Sequence, residues 1–161
     1  MSKVTGYSRT QIALHWGVLA LMIVSYVSED AMSAAWRAFN RGQEVTPGAH
    51  TVHVISGILI LVLAAMRLLA RWRRGAPAAP DAGHPLMKPA AAVTHWALYA
   101  LMIVIPLTGI AAWFGGIRDA GEVHEVLFNV LLLLVGLHVV GALYHQFVLK
   151  DGLMDRMRKP L

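Results

Sequence analysis

The sequence contains no cysteine. That absence excludes disulfides, iron–sulfur clusters, zinc–thiolate sites and thioether-linked cofactors. Charge is also scarce. Asp, Glu, Lys and Arg make up 14% of 161 residues, against roughly 25% in a typical soluble domain. Apolar residues reach 57% and the mean hydropathy is +0.58. This balance excludes a disordered chain and speaks against an ordinary water-soluble globule. The length suits one domain, taken as residues 1–161. The formal net charge is +5, but with so few charges their placement matters more than their sum. Histidine is over-supplied, with eight against four phenylalanines.

A helix needs roughly 20 mostly apolar residues to cross a bilayer. Four runs qualify: Ile12 to Val27, Val52 to Ala70, Ala90 to Phe114 and Glu122 to Leu149. They predict helices over about 9–28, 50–72, 90–114 and 121–149. The first opens on Ser8-Arg9-Thr10-Gln11, the pattern of a capping box. It is long for the apolar part of a signal peptide and carries His15 and Trp16, so it reads as a retained span. The last is longer than the bilayer requires, at ~1.5 Å per residue, and must tilt or protrude. Between the first two runs, Ala31 to Trp36 suggests a short interfacial helix. Residues 75–89 are rich in Pro, Ala and Gly and read as extended. The short loop at 115–121 makes the last two helices antiparallel neighbours. The fold class expected is therefore all-α, a four-helix membrane bundle running up-down-up-down.

Four spans put both termini on one side. That side, with the 71–89 loop and adjoining helix ends, carries Lys3, Arg9, Arg67, Arg71, Arg73, Arg74, Lys88, Lys150, Arg156, Arg158 and Lys159, eleven of the fourteen basic residues. Only Arg37, Arg41 and Arg118 fall on the other, along with Glu29, Asp30, Glu44, Asp119, Glu122 and Glu125. The positive-inside rule then places both termini in the cytoplasm. The basic bias is explained by topology, and no nucleic-acid partner is expected.

Ionisable side chains inside a membrane helix are costly and suggest function. His15, His53, His95, His124, His138 and His145 all fall in the expected spans. On the last helix His124, His138 and His145 are 14 and 7 residues apart, both multiples of a heptad, and so share one face. The first two stand ~21 Å apart along the axis. Depth pairs His53 with His124 near the outer surface. His15 lies near the cytoplasmic surface, and spacing alone leaves its partner open between His138 and His145. Two imidazoles facing each other across a four-helix bundle can clamp a haem iron from both sides, which favours electron transfer over oxygen chemistry. Gly57, Gly17, Gly136 and Gly141 lie near these histidines and would make room for a macrocycle. Arg67, 14 residues after His53, would lie near the inner site and pair with haem propionates.

The residues then resemble a known family, the bacterial cytochrome b561 proteins, small four-helix di-haem cytochromes of the inner membrane. The matching stretches are Tyr7-Ser8-Arg9 with His15-Trp16, His53-Val54 with Gly57, Met66-Arg67-Leu68-Leu69 with Arg71, and His95 with Tyr99 and Pro106. They continue through His124-Glu125 with Leu127, then Gly136-Leu137-His138, His145 and Lys150-Asp151. They run in order along nearly the whole chain. The resemblance implies two non-covalent b haems, ligated by His15/His138 and His53/His124. It also implies ubiquinone or another quinone as substrate, with His145 at the quinone site or a propionate. Lipid and a periplasmic redox partner are the other partners expected, in the inner membrane. Some members are linked to oxidising superoxide at the outer face and passing the electron to ubiquinone. Some carry basic or aromatic residues just before the last helix's first histidine, where this chain has Arg118-Asp119-Ala120-Gly121-Glu122-Val123. An anionic substrate wants a positive approach, so this departure speaks against that activity, with Arg37, Arg41 and Arg118 left as a smaller basic patch.

Other readings carry less. His124-Glu125 begins like a zinc-protease motif, but Phe128 stands where the second histidine belongs. No catalytic residue is assigned. His95 is expected to be structural or a propionate contact, His50 solvated, and Pro106 a matter of helix shape. The alternatives are a cytochrome b subunit of a hydrogenase- or dehydrogenase-type complex, and a haem-free transporter or scaffold with buried histidines.

Overall fold

The structure is a computed structural model and describes residues 6–78 and 83–160. Lys3 and Asp81 lie outside the described residues. Every regular element described is helical. Helix α1 is Arg9–Val27. Its capping box is formed: the Ser8 hydroxyl accepts the Gln11 N–H at 3.3 Å, and the Ser8 N–H donates to the Gln11 side chain at 3.0 Å. The Ser28 hydroxyl donates to the carbonyls of Val24 and Ser25 at the other end, where α1 stops.

Helix α2 (Glu29–Asn40) follows at once, with Glu29 and Asp30 in its first turn and Arg37 in its last, the arrangement the helix dipole favours. This element covers the stretch read as a short interfacial helix. Helix α3 (His50–Arg74) ends at Gly75, whose φ of 75° few other residues would adopt. Helix α4 (Met87–Gly115) begins before Pro89. A proline in the first turn forfeits only an N–H that has no intrahelical partner anyway. Helix α5 (Arg118–Tyr144) starts three residues ahead of the sequence expectation and runs on through a π-helical turn, His145–Leu149. Lys150 (φ 52°) and Gly152 (φ 71°) then reverse the chain into a 3₁₀ turn, Leu153–Met157.

Four helical stretches are long and apolar enough to cross a membrane: Arg9–Val27, His50–Arg74, Met87–Gly115 and Arg118–Leu149. Large apolar side chains such as Val27, Val93 and Phe147 point outward, as a lipid solvent permits. The backbone groups satisfy one another inside each helix.

The close helix contacts run α1–α3, α3–α4 and α4–α5. Helix α5 makes no comparable approach to α1 or α3. The bundle is thus held open between α5 and the α1–α3 pair. A small core of Val18, Ala64 and Met102, flanked by Met22, Leu63 and Leu98, fills the middle. A cavity remains towards each end. One lies at the end where Tyr7 and the 3₁₀ turn meet, the termini side. The other lies under α2.

Candidate functional site

On the termini side, His15 of α1 and His138 of α5 face each other with ring centres 6.3 Å apart. On the α2 side, His53 of α3 and His124 of α5 do the same at 6.2 Å. Two imidazoles bonded to opposite sides of one metal, at about 2 Å each, hold their ring centres roughly 6 Å apart. The helices carrying each pair do not pack closely on one another, so space remains around the rings. The cavities measure about 520 Å³ on the termini side and 440 Å³ on the α2 side, within the range of cofactor pockets.

The α2-side rings are oriented by backbone. His53 Nδ1 lies 2.9 Å from the Ser25 carbonyl and 3.3 Å from its hydroxyl. His124 Nδ1 lies 2.8 Å from the Ile105 carbonyl and 3.3 Å from the Thr108 hydroxyl. A carbonyl only accepts, so Nδ1 carries the proton in both rings. The Nε2 lone pair is left free, the tautomer a metal-ligating histidine needs. The Ser25 carbonyl is available because it belongs to the last turn of α1, where intrahelical donors run out. The His124 ring also packs on Gly109. A Cβ there would stand 3.0 Å from Cε1 and 3.1 Å from Nδ1 of the ring.

The termini-side pair is held differently. His15 Nδ1 is buried without a hydrogen-bond partner among the described residues. A third imidazole, His95, approaches His138 at 5.3 Å between ring centres and lines the cavity. Arg67 and Arg71 also line it, lying 5.5 and 5.8 Å from the Tyr99 ring centre. Tyr7 closes one edge; burial pushes its phenol above the ordinary range although Arg71 draws it down, so it stays a donor at neutral pH.

The C-terminal segment covers this cavity. Trp16 Nε1–H donates to the Met157 carbonyl at 3.0 Å, and the Arg156 guanidinium donates to the Ala78 carbonyl at 2.7 Å. His145 faces this segment and is not among the cavity-lining residues. Its Nδ1 donates to Asp151 at 2.5 Å. Burial pushes the Asp151 carboxyl up, but hydrogen bonds from His145 and the Leu153 N–H outweigh this and hold it below its usual value.

Of the four glycines expected to make room, Gly57 lines the α2-side cavity and has no neighbour within 4 Å of an added Cβ. A Cβ added at Gly17 would instead stand 3.4 Å from Leu63, and neither Gly136 nor Gly141 borders either cavity. His50, expected to be solvated, is buried with its ring 5.1 Å from that of Trp113. An aromatic group of Trp36, Phe39 and Trp113 excludes water there. Ser25, Ile105, Thr108, Gly109 and the C-terminal cover were not expected from sequence. Only Gly109, one turn past Pro106, carried a readable signal.

Two histidine pairs stacked along the axis of a membrane-spanning bundle, each beside a cavity, with the ring nitrogens of His53 and His124 set for a metal, define a membrane cytochrome. The sequence model of the prokaryotic cytochrome b561 family matches residues 6–160. A cytochrome b562 of Cereibacter sphaeroides is 36% identical over 160 residues, covering 99% of both chains. A probable superoxide oxidase of Yersinia pestis is 33% identical and covers 94% of both. A cytochrome b561 homologue of Escherichia coli is 27% identical, over 94% of this chain and 96% of its own. The chain belongs to the prokaryotic cytochrome b561 family, a multi-pass bacterial membrane protein with b-type haem.

Proposed function

We propose that the protein carries electrons across the bacterial inner membrane between a redox partner at the periplasmic face and the quinone pool near the cytoplasmic face. His53 and His124 would hold one b haem under α2, and His15 and His138 a second at the termini side. The haem would supply reversible one-electron chemistry, and two histidines at each site would leave no position for oxygen. The chain's own residues do the rest. The Ser25 and Ile105 carbonyls orient His53 and His124. Arg67 and Arg71 supply positive charge to carboxylates of a bound group at the termini side. Both termini are cytoplasmic by the distribution of arginine and lysine. The observation that carries this reading is the pair of facing imidazoles at 6.2 and 6.3 Å, each beside a cavity.

The periplasmic donor is better read as neutral or cationic than as superoxide. Among the described residues, Glu29, Glu122 and Glu125 border the α2-side cavity and no Lys or Arg does. Arg118 is turned to the Asn40 carbonyl instead. Electrostatic approach of an anion is opposed at this mouth, although the Yersinia pestis relative is named a probable superoxide oxidase.

The test is haem per polypeptide in detergent-purified protein. The expected outcome is two non-covalent b haems per chain, falling to one in His53→Ala and to one in His138→Ala, with distinct reduced-minus-oxidised spectra. Colourless folded protein would overturn the cytochrome function. One haem in the unmodified protein would overturn the pairing.

A further inference from the structure

The two cavities are lined by charge of opposite sign. Among the described residues, Arg67, Arg71 and Arg158 border the termini-side cavity and no Asp or Glu does. Among the same residues, Glu29, Glu122 and Glu125 border the α2-side cavity and no Lys or Arg does. Arg67 and Arg71 are half-buried, whereas the three glutamates are exposed. Neither arginine has an ion-pair partner among the described residues. The hydrogen bonds differ in the same direction. Both α2-side imidazoles donate Nδ1–H to a backbone carbonyl, and His15 Nδ1 donates to nothing described.

We infer that the α2-side site has the lower midpoint potential and the termini-side site the higher, which makes transfer from α2 towards the termini the downhill direction between the two sites. The inference rests on the ligand pairs proposed above and adds a direction to them. Ferric haem carries one more positive charge than ferrous haem. Nearby carboxylates therefore stabilise the oxidised form and nearby guanidinium groups the reduced form. A ligand imidazole that donates to a carbonyl is more basic and also favours the oxidised form. Both effects lower the potential under α2. The larger share of the difference comes from Arg67 and Arg71, because half-buried charges are screened less than exposed ones.

Electrons balance as follows. A one-electron reductant at the α2 face is oxidised by one electron per transfer. Two transfers, with two protons taken up on the termini side, convert one quinone to quinol. A one-electron reductant of lower potential than the quinone would drive this direction.

The experiment is an equilibrium redox titration of the haem-loaded protein in detergent, followed by visible absorbance. Two waves are expected. His124→Ala should remove the lower wave and His15→Ala the higher. Arg67→Gln should shift the higher wave downward and leave the lower in place, while Arg67→Lys, which keeps the charge, should restore most of the shift. Glu122→Gln, a surface change that spares the fold, should move the lower wave slightly upward. Loss of the higher wave in His124→Ala, or an Arg67→Gln shift confined to the other wave, would overturn the ordering while leaving the pairing intact. If His124→Ala still binds two haems, the pairing itself fails and the ordering fails with it.

Discussion

The two ends of the bundle use the same pair of imidazoles and hold them by different means. Under α2, helix backbone does the holding: the last turn of α1 offers the Ser25 carbonyl to His53, and α4 offers the Ile105 carbonyl to His124. At the termini side, the cavity is bounded by side chains and by a segment folded back over it, with His15 Nδ1 unpartnered among the described residues. Backbone acceptors move only if a helix moves, so the α2-side rings are set before any cofactor arrives. The termini-side rings meet other side chains, Trp16 and His95, which can shift rotamer. One site is preorganised and the other compliant, and the compliant one is the end proposed to face quinone.

The contrast is broken most severely at Gly109. A Cβ at this position would meet the His124 ring at 3.0–3.1 Å, and a valine adds two branches at that carbon. The ring must shift, which disturbs its bond to the Ile105 carbonyl. Gly109→Val should lower haem retention under α2 by roughly 10- to 100-fold, the scale of losing an outer-shell partner. Haem per chain should approach one, with the remaining spectrum that of the termini-side site. Loss of the termini-side haem instead would refute the claim that the rigid end is the α2 end.

A middle-sized effect lies in the termini-side cover. Trp16→Phe removes the N–H that holds the Met157 carbonyl but keeps an aromatic ring, and Asp151→Ala removes the acceptor of the His145 and Leu153 N–H groups. Each lost hydrogen bond is worth about 1 kcal/mol. Amide exchange over 150–158 should therefore quicken roughly fivefold in Trp16→Phe and more in Asp151→Ala, with exchange in α2 unchanged. The sign of the pH effect follows from Asp151, whose carboxyl is held below its usual value. A depressed carboxylate stabilises the folded state above its unfolded pKa and loses that contribution as pH falls through the folded one. The cover should stay closed at neutral and mildly acidic pH and loosen only below the ordinary carboxylate range. Loosening near neutrality would show that Asp151 is not what anchors it.

Side-chain periodicity made the four spans and the histidine faces readable, because lipid-facing helices must be apolar and the exceptions stand out. The 14-residue step between His124 and His138 placed two imidazoles on one face at two depths. It did not separate His138 from His145 as the neighbour of His15, since a ruler along one helix says nothing of where another leans. In the structure His138 faces His15, and His145 turns into a π-helical turn towards Asp151. The Ser25 and Ile105 carbonyls had no signature at all, because every residue has a carbonyl and only the packing of helices decides which one meets a ring. The same holds for the C-terminal cover. Its latches join residues 141 and 78 positions apart, and short polar stretches after a membrane span carry no hydrophobic period.

The smallest effect is the most discriminating about what fills the α2-side cavity. An added Cβ at Gly57 or at Gly136 meets nothing within 4 Å, but only Gly57 borders the cavity. Both glycines are inside helices, where alanine is favoured by roughly 1 kcal/mol. Haem-free protein should thus melt slightly higher in both Gly57→Ala and Gly136→Ala. With haem loaded the two should part: Gly136→Ala keeps its gain, while Gly57→Ala loses haem from the α2-side site a few times faster, because the methyl takes space that the macrocycle needs. The measurement is a pair of melting curves, with and without haem, plus the rate of haem transfer to an apo-globin acceptor. Equal behaviour of the two variants in the loaded state would mean that the macrocycle does not reach the α3 wall. The preorganised site would then be defined by its two histidines and their carbonyls alone.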